Sequence, residues 1–173
     1  MTSSSNANVL DQGLLGEEEE DTLSGKFLTF RLGREDFGLE IRYVTEIVGL
    51  QKITELPDMP GYVKGVINLR GAVIPVIDVR VRFRLEPREY DERTCIVVAQ
   101  LQNRAMGLVV DQVNEVTEIP AGQIEPPPRA GSASGGGFIQ GLGKIGEDVK
   151  ILLDTEKLLS DQELDLVSSL AAD

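Results

Sequence analysis

A chain of 173 residues can form one ordinary domain or two small ones, which excludes a large multidomain enzyme. Its 17 Lys and Arg residues against 29 Asp and Glu give a net charge of -12, which disfavours general binding to a nucleic-acid backbone. The chain contains no histidine, so mechanisms that need an imidazole base are excluded. We therefore expect a protein without a metal or cofactor.

The first 24 residues carry six Asp and Glu residues and neither Lys nor Arg. Such a composition buries little apolar surface, so we expect residues 1–24 to be a disordered acidic tail and residues 25–173 to be the folded part. No apolar run approaches the length of a membrane span, and the N-terminus lacks the pattern of a signal peptide. One cysteine, Cys95, lies in an apolar strand-like run. These features predict a cytoplasmic protein with Cys95 inert in the core.

Short alternating patterns predict a β-rich fold. Apolar residues at 27–32 and 37–41 flank a turn at residues 33–36, which is typical of a β-hairpin. Residues 79–85 alternate apolar side chains with three arginines, which predicts a half-buried strand with a basic face. Pro75 lies in another strand-like run and predicts an edge strand there.

An internal repeat divides the chain. The triplet at residues 37–39 matches residues 106–108 at an offset of 69, which also pairs Val44 with Val113 and Glu46 with Glu115. Further on, residues 61–66 match residues 137–142 at an offset of 76. We therefore predict two packed β subdomains at about residues 25–88 and 89–159, with possible strand exchange between them. A capping-box pattern at residues 160–163 predicts a C-terminal helix over residues 160–170.

Two glycine-containing motifs are candidates for functional sites. Residues 141–146 satisfy G-x-G-x-x-G, but a strand pattern rather than a helix follows, so we interpret these glycines as turn residues and expect no dinucleotide site. Residues 68–71 join two apolar runs and predict a tight turn that exposes Arg70. The repeat equivalent of Arg70 is Gly146, so the fold does not require an arginine there. Asp78, Asp154, Glu46 and Glu115 recur in both repeats, which favours structure or binding over acid–base catalysis.

Three stretches, residues 37–47, 60–78 and 107–111, resemble the CheW family of bacterial chemotaxis coupling proteins, and residues 65–78 are the most specific part. The resemblance covers about residues 25–170. It implies a mostly β fold of two packed SH3-like five-stranded β-barrels with a short C-terminal helix. It also implies a non-enzymatic adaptor that links chemoreceptors, the methyl-accepting chemotaxis proteins, to the histidine kinase CheA through its regulatory domain, which has the same fold.

By the same resemblance, the adaptor lies at the inner face of the membrane within receptor arrays and does not insert into the bilayer. The family's receptor-binding groove, carried over by position, comprises Val44, Glu46, Asn68, Arg70, Gly107, Val113 and Val116.

An alternative function follows from the basic residues alone. Arg80, Arg82, Arg84 and Arg88 are closely spaced and could bind nucleic acid or another polyanion on a small β-barrel. The net charge and the lack of interleaved aromatic residues count against this alternative.

Overall fold

The computed structural model describes residues 23–127 and 136–171. The expected acidic tail therefore lies outside the described residues, except for its last two positions. The part described contains eleven β-strands and two α-helices, joined by short 3-10 turns. The strands are β1 Lys26–Leu32, β2 Glu35–Glu40, β3 Val44–Gly49, β4 Val63–Leu69, β5 Ala72–Asp78, β6 Cys95–Leu101, β7 Arg104–Val110, β8 Gln112–Glu118, β9 Ile124–Glu125, β10 Ile139–Ile145 and β11 Asp148–Leu153. The helices are α1 Val79–Arg82 and α2 Asp161–Ser168.

The strands form two sheets. One has five strands in the order β3-β6-β7-β5-β4, and the other has six in the order β8-β1-β2-β11-β10-β9, of which β9 is only two residues long. Both sheets combine antiparallel hairpins with one parallel pair, β5 with β7 and β11 with β2. This architecture confirms the predicted mostly β fold with two packed barrels and a short C-terminal helix.

The two sheets exchange strands reciprocally. Each contains the first hairpin of one repeat, β1-β2 or β6-β7, together with the later strands of the other repeat, which are β8 to β11 in the six-stranded sheet and β3 to β5 in the five-stranded one. A boundary near residue 88 therefore does not separate the sheets, because β6 and β7 pair with strands that precede it. Strand exchange was one of the expected possibilities. Equivalent strands occupy equivalent places, so β3 and β8 each lie at a sheet edge.

The register repeats residue by residue. Val44 pairs with Ala99 and Val113 pairs with Phe30, which are equivalent positions at the offset of 69. A register shift follows at the same point in both ladders. The internal repeat of the sequence is therefore a repeat of strand pairing, including its irregularities.

Three apolar clusters form the core. The largest lies between the sheets and includes Leu28, Phe30, Leu39, Ile77, Val97, Met106, Leu108 and Leu153, together with Leu164 and Val167 of α2. A second cluster fills the five-stranded barrel around Ile67, Val76 and Ile96, and a third fills the other barrel around Phe27, Ile119 and Leu152. Because each small barrel has little core of its own, the shared cluster makes them one folding unit.

The C-terminal helix α2 begins as predicted. The Ser160 hydroxyl accepts a hydrogen bond from the Glu163 backbone N–H at 3.1 Å, and the Glu163 carboxylate accepts one from the Ser160 N–H at 2.8 Å. Glu163 also pairs with Arg82 at 3.3 Å. The capping box and the buried Leu164 and Val167 dock α2 over the cluster between the sheets.

Three local predictions were wrong. Residues 79–82 form the helix α1 rather than a strand, because the Asp78 carboxylate accepts a hydrogen bond from the Val81 N–H and caps a helical turn. Pro75 lies in β5, between β4 and β7, and its missing N–H is tolerated because the β5–β7 ladder begins only at Val76. In the 141–146 motif the first two glycines lie within β10, and only Gly146 is a turn residue.

Candidate partner-binding surface

The turn between β4 and β5 presents Arg70 to solvent. Its side chain is 68% exposed, and its backbone is left-handed with φ of 54°, followed by Gly71 with φ of 92°. The Asn68 Oδ1 accepts a hydrogen bond from the Gly71 N–H at 2.7 Å and so holds the turn. The predicted tight turn is confirmed.

Arg70 forms an ion pair with Glu46 on β3. The five-stranded sheet begins at β3 and ends at β4, so this pair joins its two edges where the barrel closes. At the equivalent place in the other barrel the turn residue is Gly146, which offers no cation to Glu115. The exposed arginine is therefore a feature of one barrel only.

The apolar members of the predicted site lie on the two edge strands. Val44 on β3 and Val113 on β8 are both half-buried and both pack against the cluster between the sheets. Val116, further along β8, is 51% exposed. The predicted apolar residues therefore lie on β3 and β8. These two strands are equivalent in the repeat, and each is the edge strand of one barrel.

Gly107 differs from the other predicted residues, because it is buried within β7. A Cβ at this position would lie 2.8 Å from Ile96 Cγ2 and 3.3 Å from Val76 Cγ2. Its equivalent, Gly38, is packed in the same way against Leu152. Gly107 therefore fits a position where neighbouring side chains leave no room for a larger residue.

A partly buried ion-pair network, which the sequence analysis missed, lies where the chain crosses between the sheets. Asp111 separates β7 from β8 and accepts hydrogen bonds from the Gly33 N–H at 2.7 Å and from Arg80 at 2.8 Å. Arg88 bridges the same carboxylate at 3.2 Å to Asp91 at 3.0 Å. The network fixes the start of β8 against two loops.

Beside this crossing lies an open hollow of about 490 Å³, lined by Arg93, Cys95, Gln112 and Val113. It joins the start of β6 in one sheet to the start of β8 in the other. Burial raises the pKa of the Cys95 thiol, although a hydrogen bond from the Val113 backbone opposes that shift. Cys95 is half-buried at the wall of this hollow, whereas the sequence had predicted an inert position in the core.

The repeated carboxylates have structural partners. Asp78 is buried, caps α1 and accepts a hydrogen bond from the Tyr90 hydroxyl at 2.7 Å. Burial and this contact raise the pKa of Tyr90. Asp154 accepts a hydrogen bond from the Glu156 N–H at 2.9 Å. These contacts give Asp78 and Asp154 structural roles.

The arginines of the polyanion alternative are largely occupied. Arg80 pairs with Asp111, Arg82 pairs with Glu163, and Arg88 pairs with Asp91 and Asp111. Because residues 79–82 are helical, these side chains do not form a common basic strand face. The structure therefore gives this alternative no support.

Two kinds of feature are absent from the residues that the structure describes. No helix among them is long and apolar enough to cross a membrane. Within residues 23–127 and 136–171, no group of three or more Cys, Asp or Glu side chains could hold a metal ion.

Two packed β-barrels that exchange strands, each with an edge strand equivalent to that of the other, define a double-barrel β module. The CheW-like domain family matches residues 26–163. The chain therefore belongs to the CheW family.

Known relatives agree with this assignment. The chain is 41% identical to the chemotaxis protein CheW of Klebsiella aerogenes, with 87% of this chain and 91% of that protein covered. It is 30% identical to the chemotaxis protein CheW of Treponema pallidum, with 84% and 88% covered. The crystal structure of the scaffolding protein TtCheW from Thermoanaerobacter tengcongensis is similar, with a TM-score of 0.72, 33% identity, and 80% of this chain and 94% of that chain covered.

Proposed function

We propose that this chain is a non-enzymatic chemotaxis adaptor that couples the cytoplasmic tips of chemoreceptors to the histidine kinase CheA. In this role it lies at the inner face of the membrane, held there by receptor arrays. Membership of the CheW family supports the proposal, as does the position of the candidate residues on an exposed turn and on strand edges.

We assign receptor binding to the surface formed by Val44, Glu46, Asn68, Arg70, Val113 and Val116, with Gly107 as a buried support for β7. The observation that carries this assignment is the exposed Arg70–Glu46 pair, which exists in one barrel and has no counterpart in the other. A fold that needed this pair would be expected to repeat it. A helical hairpin could place apolar side chains on Val116 and a carboxylate or helix-end carbonyls on Arg70.

We assign kinase binding to exposed barrel edges. Ile47 on β3 is 44% exposed and is not among the residues assigned to the receptor. A regulatory domain with the same barrel fold presents comparable edges, so like modules can pack edge to edge.

The test is reconstitution with CheA and a receptor cytoplasmic fragment. Arg70→Ala and Val113→Asp should lower receptor-fragment binding and receptor-dependent kinase activity, and Val113→Asp should weaken receptor binding more than kinase binding. The control Arg104→Ala removes an exposed ion pair with Asp165 and should change neither. Normal binding and kinase activation by both site variants, at matched folded concentration, would place the receptor elsewhere.

A further inference from the structure

The hollow between β6 and β8 is lined by Arg93, whose guanidinium group has no ion-pair partner among the described residues. Arg93 is exposed and forms no ion pair with residues 23–127 or 136–171, whereas Arg80 and Arg88 nearby are both bound to Asp111. Beside Arg93, the half-buried Cys95 and Val113 supply the apolar part of the hollow's lining. A cation beside such an apolar patch is complementary to a carboxylate next to an apolar side chain.

The backbone that carries Arg93 is held in place. The Asp91 Oδ1 accepts hydrogen bonds from the Arg93 N–H at 2.8 Å and from the Thr94 N–H at 3.2 Å. The Asp91 N–H in turn donates to the Thr94 hydroxyl at 2.9 Å. This turn fixes the direction in which the Arg93 side chain leaves the surface.

The same turn is tied to the opposite wall of the hollow. Arg88 joins Asp91 to Asp111, and Asp111 directly precedes the Gln112 and Val113 of that wall. The two walls are therefore linked through charged contacts before any partner binds, which lowers the ordering cost of binding.

We propose that Arg93 is a specificity-determining residue of the receptor interface, which pairs with a carboxylate on the receptor helix while an adjacent apolar side chain of that helix enters the hollow on Cys95 and Val113. This inference rests on the proposed receptor function and adds one contact to it. An acidic and an apolar residue three or four positions apart on a helix lie on one face, so a single helix supplies both groups.

Binding of a soluble chemoreceptor cytoplasmic fragment, measured by calorimetry, tests the pairing. Arg93→Glu should weaken binding about tenfold or more and Arg93→Gln less, and the salt dependence of binding should be shallower for Arg93→Gln. The matched control is Arg104→Glu, which makes the same charge change at the other end of the β6–β7 hairpin, roughly 20 Å away at the rise of a strand. It should alter binding less than about twofold.

The partner carboxylate is identified by charge reversal on the fragment. Changing each acidic residue near its tip to lysine should reveal one position that weakens binding to the wild-type chain and restores binding to Arg93→Glu. Failure of every reversal to restore binding would overturn the pairing.

The remaining outcomes separate this inference from the proposed function. If Arg93→Glu binds normally while Val113→Asp does not, the Arg93 contact is wrong and the receptor surface stands. If the wild-type chain neither binds the fragment nor affects the kinase, both are wrong. Urea unfolding of Arg93→Glu and Arg93→Gln checks that any loss of binding is not a loss of folding.

Discussion

Arg70 and Gly146 occupy the same turn in the two repeats, and both have a left-handed backbone, with φ of 54° and 60°. Glycine adopts this conformation at no steric cost, whereas a residue with a Cβ pays about 1 kcal/mol or more. The turn with Arg70 therefore contains this conformational strain, whereas the equivalent turn with Gly146 does not. An arginine kept at a position suited to glycine fits a role in binding.

Arg70→Gly should therefore separate stability from binding. Relief of the left-handed strain opposes the greater chain entropy of glycine and the loss of an exposed ion pair, so the free energy of unfolding should stay within about 1 kcal/mol of wild type. Arg70→Ala, which keeps the strain, should remain within about 0.5 kcal/mol. Both should weaken receptor-fragment binding about tenfold or more. Urea unfolding measures the change in stability, and calorimetry measures the change in receptor-fragment affinity. A stable variant with normal binding would show that Arg70 does not contribute to receptor binding.

Asp111→Asn should destabilise the whole protein. The carboxylate is 9% exposed, it accepts hydrogen bonds from Gly33, Arg80 and Arg88, and Arg80 itself is only 13% exposed. Removing its charge leaves a largely buried guanidinium without its partner, at a cost of about 2 to 3 kcal/mol. Asp165→Asn, which breaks the exposed pair with Arg104, should cost less than about 0.5 kcal/mol. Equal unfolding midpoints in urea for these two variants would show that the network contributes little.

The stability of the protein should fall in acid and depend partly on Asp36. Burial alone would raise the pKa of Asp36, but hydrogen bonds from Lys150 and Arg31 outweigh burial and hold the pKa below its ordinary value of 3.8. A carboxyl with a lowered pKa in the folded state binds fewer protons there than in the unfolded chain. Its contribution is therefore present above about pH 4 and is lost as the pH falls through the folded-state pKa.

The measurement is the free energy of unfolding at pH 7 and near pH 3. The difference in the free energy of unfolding between these pH values should be smaller in Asp36→Asn than in wild type. It should also be smaller than in wild type in Lys150→Gln, which removes a hydrogen-bond donor 2.7 Å from the Asp36 carboxylate. An unchanged difference in both variants would show that other carboxyl groups govern the acid transition.

The sequence predicted the repeat but not how the two copies combine. The offset of 69 aligns Val44 with Val113, and the structure gives both residues the same pairing geometry. Equivalent strands, however, have equivalent apolar patterns, so a hairpin can pair within its own repeat or with the other one. Packing between the sheets selects strand exchange, and the local sequence patterns do not predict that packing.

The errors at the site have local causes. The alternation at residues 79–85 was short enough to fit either a strand or one helical turn, and the Asp78 cap decided the outcome. The Arg70 turn was predictable because its residues encode it locally. The position of Arg93 beside a hollow could not be predicted, because it depends on contacts of Asp91 and Asp111. These residues come together only in the folded chain, where it crosses between the sheets.

The role of Gly107 can be tested by adding a single methyl group. In Gly107→Ala the new Cβ would meet Ile96 Cγ2 at 2.8 Å, and a crowded strand interior should cost about 1 to 3 kcal/mol. Gly122→Ala is the matched control, because its Cβ would meet no atom within 4 Å, and its stability should be unchanged or slightly higher. If Gly107 supports the receptor surface from beneath, the free energy of unfolding and receptor-fragment affinity should fall together in Gly107→Ala. A loss of affinity of about tenfold with unchanged stability would instead mean that the receptor contacts Gly107 directly.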